Sequence, residues 1–211
     1  MNDIVILNYG YGNLFSIKSA LNELGIAALC TKDYDKIINA KLIILPGVGS
    51  FSQAMKQIKN FGLDSVIREV INEGKLFFGI CLGFQLLFDS SDENGCSKGL
   101  SVLKGEVRHL STFGKIRKIP HVGWNKINMN INDYTNNEIN LSKFNNKYFY
   151  FVHSHAVQVI NQKRLLTSTN IEDAIICSSV YKKRLIATQF HPEKSGIDGL
   201  NLLKDFFSQE S

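Results

Sequence analysis

Short runs of consecutive apolar residues punctuate the first eighty positions, at 4–7 (Ile4-Val5-Ile6-Leu7), 27–29, 42–45 (Leu42-Ile43-Ile44-Leu45) and 76–80. Runs this short without polar alternation predict strands buried on both faces, the pattern of a parallel sheet, with 42–45 in a central place. Helical spacing fills the gaps. Leu14, Ile17, Leu21 and Leu24 lie on one face, with Asn13 suited to cap the start and Gly25 to end the helix. Residues 54–72 read as one helix closed by Gly74, so the first half is βα repeated. After Gly95 the runs at 102–110, 116–119, 123–129, 148–152, 165–169, 175–179 and 185–189 predict short strands with few helices between them. Residues 128–146 are rich in asparagine and read as a surface excursion. Leu200, Leu203, Phe206 and Phe207 form the apolar stripe of a last helix, which Asp198 is placed to cap.

Length and composition narrow the classes. The 211 residues suit one domain, 1–211, and 44% apolar content is ample for a core. The net charge of +5 comes from Lys and Arg interleaved with Asp and Glu, not from a basic stripe, which argues against nucleic-acid binding. Met1-Asn2-Asp3 has no basic leader, and no stretch approaches the roughly 18 apolar residues of a membrane span, so a cytoplasmic location and no membrane partner are expected. Cys30, Cys81, Cys96 and Cys177 show neither CxxC spacing nor the density of a secreted scaffold, and are expected as reduced thiols with no metal site. Gly10-Tyr11-Gly12 lacks the third glycine of a dinucleotide fingerprint, so no nucleotide cofactor is expected.

Candidate chemistry centres on Gly79-Ile80-Cys81-Leu82-Gly83, where an apolar strand meets a cysteine between two glycines and continues as a helix. A sharp strand-to-helix turn needs small flanking residues, since a Cβ there collides with neighbouring backbone. Such a nucleophile elbow sets the Cys81 sulfur at a helix N-terminus, which favours thiolate over thiol. Upstream, the loop Pro46-Gly47-Val48-Gly49-Ser50 follows a central strand, on the edge where open α/β sheets build sites. Its N–H groups, at Gly47 and Gly49, can line an oxyanion pocket beside the Leu82 N–H. A cysteine nucleophile needs a base, and the base needs an acceptor to fix its tautomer. His191-Pro192-Glu193 offers both: in an extended segment positions two apart share a side, and proline disfavours a helix there.

In order along the chain, Tyr9-Gly10-Tyr11-Gly12-Asn13, Pro46-Gly47-Val48-Gly49-Ser50-Phe51, Gly79-Ile80-Cys81-Leu82-Gly83-Phe84-Gln85, Pro120-His121-Val122-Gly123-Trp124-Asn125, Phe151-Val152-His153-Ser154 and Gln189-Phe190-His191-Pro192-Glu193-Lys194-Ser195 resemble the class I glutamine amidotransferases. The similarity is strongest to the glutaminase subunits of imidazole glycerol phosphate synthase. It implies an α/β fold with an open mixed, mostly parallel sheet flanked by helices. It also implies a Cys81-His191-Glu193 triad, L-glutamine held near Gln85 and the His153-Ser154 backbone, and an oxyanion hole at Gly49 and Leu82. The implied partner is a (βα)8-barrel cyclase subunit in a heterodimer, making imidazole glycerol phosphate and AICAR in histidine biosynthesis from the released ammonia. Asn13, Trp124, Tyr150 and Lys194 would face it, unless Trp124 is core. Three positions depart from the commonest pattern: Phe84 and Val122 replace methionines, and His155 replaces a tyrosine beside the glutamine site. Related paired subunits aminate sugars in surface-polysaccharide pathways, and the shared motifs leave that acceptor open. A regulatory module without chemistry and a cysteine peptidase are further readings; the intact triad argues against the first, and glutamine versus peptide turnover separates the second.

Overall fold

The computed structural model describes residues 3–129, 142–159 and 165–208. Most of the asparagine-rich excursion, 130–141, lies outside them. Eight strands, numbered in chain order, form the main sheet: β2 (Leu29–Thr31), β1 (Ile4–Leu7), β3 (Leu42–Leu45), β4 (Leu76–Ile80), β14 (Leu185–Thr188), β13 (Ala174–Lys182), β12 (Leu165–Ile171) and β9 (Asn128–Met129), in that spatial order. Pairing is parallel from β2 to β14 and antiparallel from β14 to β9. The sheet is therefore mixed, with β3 central among its parallel strands as the apolar run predicts.

Alternation along each strand explains why the runs contain no polar residue. Val5, Leu7, Ile43, Leu45 and Phe77 pack into one core with α2 (Tyr34–Ile38), α3 (Phe51–Asn60) and α4 (Leu63–Asn72). Ile6, Leu42, Ile44, Phe78 and Ile80 pack into another with α1 (Leu14–Glu23) and α6 (Gly196–Phe207). Each fully buried large side chain contributes about 1.5–3 kcal/mol, so a polar residue on either face has nowhere favourable to go.

Several expectations need correction. The single helix at 54–72 is two helices: Gly62, at φ 67°, ends α3 and starts α4. Residues 116–119 form no strand; Ile116 and Ile119 pack with Phe113 against a small satellite core instead of pairing. Asp198 does not cap α6, which starts after Ser195; it lies in the first turn, 3.6 Å from Lys147. The pattern did not announce the strands at 90–91, 97–98 and 155–159. The strand β11 (His155–Val159) joins β7 (Gly105–His109), β5 (Ser90–Ser91) and β6 (Ser97–Lys98) in a second sheet. The run expected as one strand at 123–129 is two: β8 (His121–Lys126) pairs in a separate antiparallel hairpin with β10 (Tyr148–His153), as expected at 148–152, while β9 joins the main sheet.

This hairpin is stitched to the chain after β14 by a buried serine. Ser195 Oγ donates to His191 O at 2.6 Å and accepts from Tyr150 N at 3.0 Å, while His191 N donates to Tyr150 O at 2.9 Å. Replacing Ser195 with alanine leaves a buried acceptor and a buried donor without their partner, at about 1–3 kcal/mol. Ser195→Ala is therefore expected to lower Tm by about 2–4 °C per kcal/mol lost, measured by thermal and chemical denaturation. An unchanged Tm would mean that the serine holds nothing.

Candidate active site

The elbow forms where β4 ends. Cys81 takes φ 53° and ψ −108°, a conformation that costs a non-glycine residue about 1–3 kcal/mol and persists only when its surroundings enforce it. They do so through close packing. The Cys81 N–H donates to Thr188 O at 2.8 Å, and a Cβ on Gly83 would sit 1.9 Å from Leu45 O. The helix that follows, α5 (Leu82–Gln85), is a single turn. Its dipole is correspondingly small, so the sulfur's environment is set mainly by side chains.

Those side chains come from the segment after β14. His191 Nδ1 lies 2.7 Å from Glu193 Oε1, with the two side chains only 2% and 1% exposed. The pair does not meet across an extended segment: Pro192–Lys194 is a 3-10 turn with His191 as its cap. Proline suits the first position of such a turn, where its fixed φ is helical and no N–H is missed. The carboxylate accepts from Nδ1–H, which leaves Nε2, buried and with no other hydrogen-bond partner among the described residues, to interact with Cys81. Burial works against a charge on His191, but the neighbouring Cys81 and the bond to Glu193 outweigh it and hold the imidazole well above its ordinary pKa. A cysteine paired with an imidazole that a carboxylate orients is the arrangement suited to acyl transfer.

A cavity of about 280 Å³ opens over the sulfur, lined by Gly49, Cys81, Leu82, Gln85, His153, Ser154 and His191, among others. The structure thus brings together nearly all the residues singled out for chemistry. Gln85 is buried and donates through Nε2 to His155 O and Gln189 Oε1, both at 2.9 Å. Burial pushes His153 down to about 3, so the ring is neutral, and its Nδ1 donates to His155 O at 2.8 Å. His155 is half-buried in the wall, its Nε2 3.8 Å from Asp92. Burial lowers its pKa too, partly offset by Glu93 and Asp92.

The loop after β3 presses onto the elbow. A Cβ on Gly47 would lie 2.7 Å from the Leu82 Cβ, the Gly83 nitrogen and the Tyr9 hydroxyl, so only glycine fits. Tyr9 is locked beneath, its hydroxyl donating to Pro46 O at 2.6 Å; burial, then the charge at Cys81, raises its pKa. The Leu82 N–H, expected as an oxyanion donor, is occupied: it donates to Gly47 O at 3.3 Å. Glu93 was missed. It lines the cavity and accepts from Phe51 N at the start of α3 at 2.7 Å. It lies in an irregular segment beyond β5, where neither spacing nor motif could signal it.

The expected partner-facing residues divide by exposure. Trp124 is 52% exposed and so not core, and it stacks edge-on with its cross-strand neighbour Tyr150 at 5.9 Å. Lys194 is exposed, while Asn13 and Tyr150 are half-buried; Asn13 Oδ1 caps α1 by accepting from Ser16 N. Among the described residues, no helix is long and apolar enough to cross a membrane.

Residues 5–209 match the family model described as "Glutamine amidotransferase class-I". The chain belongs to that family. Subunit HisH of imidazole glycerol phosphate synthase from Oceanobacillus iheyensis is 42% identical over 203 residues, covering 96% of this chain and 97% of that protein. The same subunit from Aquifex aeolicus is 42% identical, covering 96% and 94%. That from Bacillus subtilis is 37% identical with the same coverage. Among solved structures, a glutamine amidotransferase crystal structure superposes with a TM-score of 0.72 at 20% identity, covering 96% of this chain and 98% of that one. PurLQS from Thermotoga maritima gives 0.70 at 19% identity, covering 99% and 98%. The two structures share the fold of this glutamine amidotransferase, an α/β domain with a mixed sheet flanked by helices.

If His191 moves the proton and Glu193 holds it in place, the two substitutions should differ in kind. His191→Ala is expected to cost about 10²–10⁴ in glutaminase kcat, and Glu193→Gln less. Because Glu193 is one of the groups raising His191, Glu193→Gln should also move the alkaline limb of the pH–rate profile to lower pH. Equal losses with an unmoved limb would contradict the assignment.

Proposed function

We propose that the chain is the glutaminase subunit of an imidazole glycerol phosphate synthase, hydrolysing L-glutamine to glutamate and ammonia and delivering the ammonia to a (βα)8-barrel cyclase subunit in histidine biosynthesis. The observation that carries this reading is the 2.7 Å bond from His191 to Glu193, which leaves the second ring nitrogen for Cys81 at the floor of a cavity of amino-acid size. The near full-length similarity to subunits of that synthase favours this acceptor over sugar amination.

In the proposed reaction the Cys81 thiolate attacks the side-chain carbonyl carbon of glutamine, and the C=O electron pair moves onto oxygen. The oxyanion collapses to a thioester as the C–N bond breaks, and His191 Nε2–H protonates the departing ammonia. The now neutral His191 takes a proton from water, which attacks the thioester and releases glutamate and the thiolate. Glu193 keeps the Nδ1–H in place and offsets the imidazolium charge throughout. Gln85, whose amide nitrogen is committed to two acceptors, has its oxygen left for the substrate, and the Glu93 carboxylate can balance the substrate's α-ammonium.

The first step needs an oxyanion donor, and the Leu82 N–H is held by Gly47 O. Turning the Gly47 peptide away frees it, and the glycines at 47 and 49 allow the loop 46–50 to do so. A docked partner that favours the turned loop therefore accelerates hydrolysis, which keeps ammonia from being released without an acceptor. The exposed apolar stripe of Val122, Trp124 and Tyr148 on the β8–β10 hairpin, with Asn13, Tyr150 and Lys194, is the surface proposed for that partner, and Trp124 is its anchor. Free cysteines at 30, 81, 96 and 177 suit a cytoplasmic enzyme.

Mass spectrometry of the chain quenched during turnover with its partner should capture a glutamyl adduct on Cys81, and Cys81→Ala should abolish both adduct and ammonia release. Residual full activity in Cys81→Ala would overturn the reading. Trp124→Ala is expected to weaken partner-stimulated turnover at least tenfold at limiting partner, while the isolated chain keeps its Tm. Unaltered stimulation, or loss of the isolated fold, would remove Trp124 from the interface.

A further inference from the structure

Gln189 is completely buried, has no part in the reaction just described, and lies against the nucleophile, its Nε2 3.8 Å from Cys81 Sγ. The two ends of a glutamine amide have the same shape, so its orientation must be deduced from partners. One of those partners, a backbone carbonyl, has only one possible role. The His155 carbonyl can only accept, so the end of Gln85 facing it is the NH2 group. Its second N–H meets the Gln189 amide at 2.9 Å, and that end of Gln189 must be the oxygen. Gln189 consequently turns its own NH2 group toward the sulfur. Its backbone is fixed as well, Gln189 N donating to Ser178 O at 2.8 Å.

The sulfur thus has two polar neighbours of opposite kind besides His191. Val152 O, at 3.8 Å, can only accept and suits a thiol S–H; the Gln189 amide donates and suits a thiolate. We propose that Gln189 is a further catalytic residue, whose side-chain N–H donates to Cys81 Sγ and favours the thiolate both before attack and when hydrolysis of the thioester regenerates it. Gln85 is the positioning residue that keeps the donor end of Gln189 on the sulfur. The link explains why two amides are buried side by side next to the nucleophile, a place where apolar side chains would fill the space without needing partners. A hydrogen bond to a charged group in a dry site is stronger than one between neutral groups, so the donor discriminates between the two forms of the sulfur. The inference rests on the thioester reading above but is tested without glutamine or partner.

The test is the pH dependence of iodoacetamide alkylation at Cys81, followed peptide by peptide by mass spectrometry because Cys96 is exposed and also reacts. Full-length wild type, Gln189→Leu, Gln189→Glu and Gln85→Leu are compared between pH 5 and 10. In Gln189→Leu the pH of half-maximal rate should rise by about one to two units, the size of a lost hydrogen bond to a charged group. Gln189→Glu should rise at least as far, since it puts a carboxylate where the donor was. Gln85→Leu should produce a smaller rise. A purely structural Gln189 would lower Tm and leave the midpoint where it is, and that result overturns the proposal. Should Gln189→Leu fail to fold, the unbranched and uncharged Gln189→Met, which also lacks the donor, decides between the same two outcomes. A shifted midpoint in a chain without glutaminase activity would uphold this inference and sink the functional reading instead.

Discussion

Everything at the site hangs on the contact between the elbow and the central strand, where Gly83 comes so close to Leu45 O that no side chain fits. That approach holds Cys81 at its left-handed φ, presents the sulfur above the ends of β4 and β14, and sets Leu82 beside Gly47. The strain at one residue is sustained by two cores, one on each face of the parallel strands. A small shift of β3 against β4 would be transmitted directly to the nucleophile, because packed interiors transmit displacement instead of absorbing it.

The second half of the chain supplies everything that the elbow lacks. The antiparallel return from β13 to β14 leads straight to His191 and Glu193, and Ser195 ties that segment to the hairpin that carries Trp124 and Tyr150. Tyr150 therefore touches both regions: its backbone bonds to His191 and Ser195, and its ring packs against Trp124. A partner docked as proposed on Trp124 would act one ring contact and one hydrogen bond away from the His191 backbone. The His191–Glu193 segment and the proposed docking surface are mechanically one unit.

The pattern of residues revealed the parts of this structure whose physics is local. Continuous apolar runs marked β1, β3 and β4 because a strand buried on both faces admits nothing else, and the glycines around Cys81 marked the elbow because only they avoid collision. His191 and Glu193 were legible as a pair even though the segment between them is a turn and not extended. What stayed hidden depends on long-range contact. The strand β11 pairs with residues 46 to 54 positions earlier, and Glu93 reaches the cavity from an irregular loop. The break at Gly62 was visible as a glycine but masked by the helical periodicity on both sides. Neither the bond from Leu82 to Gly47 nor the orientation of Gln189 has any trace in the order of residues, since each is set by which backbone groups meet in space.

Two conditions for turnover are therefore separate in the proposed mechanism: Cys81, His191 and Glu193 are already gathered in the isolated chain, whereas the Leu82 N–H proposed as oxyanion donor is occupied. Alkylation by iodoacetamide needs only the first, and glutamine hydrolysis needs both. The decisive measurement is both rates on the same preparation, with and without a saturating (βα)8-barrel cyclase partner. The account predicts that partner binding raises hydrolysis by at least an order of magnitude and does not raise the rate of Cys81 alkylation. If the two rates rise together, the partner assembles the nucleophile itself, and the closed oxyanion site is not what holds the isolated glutaminase back.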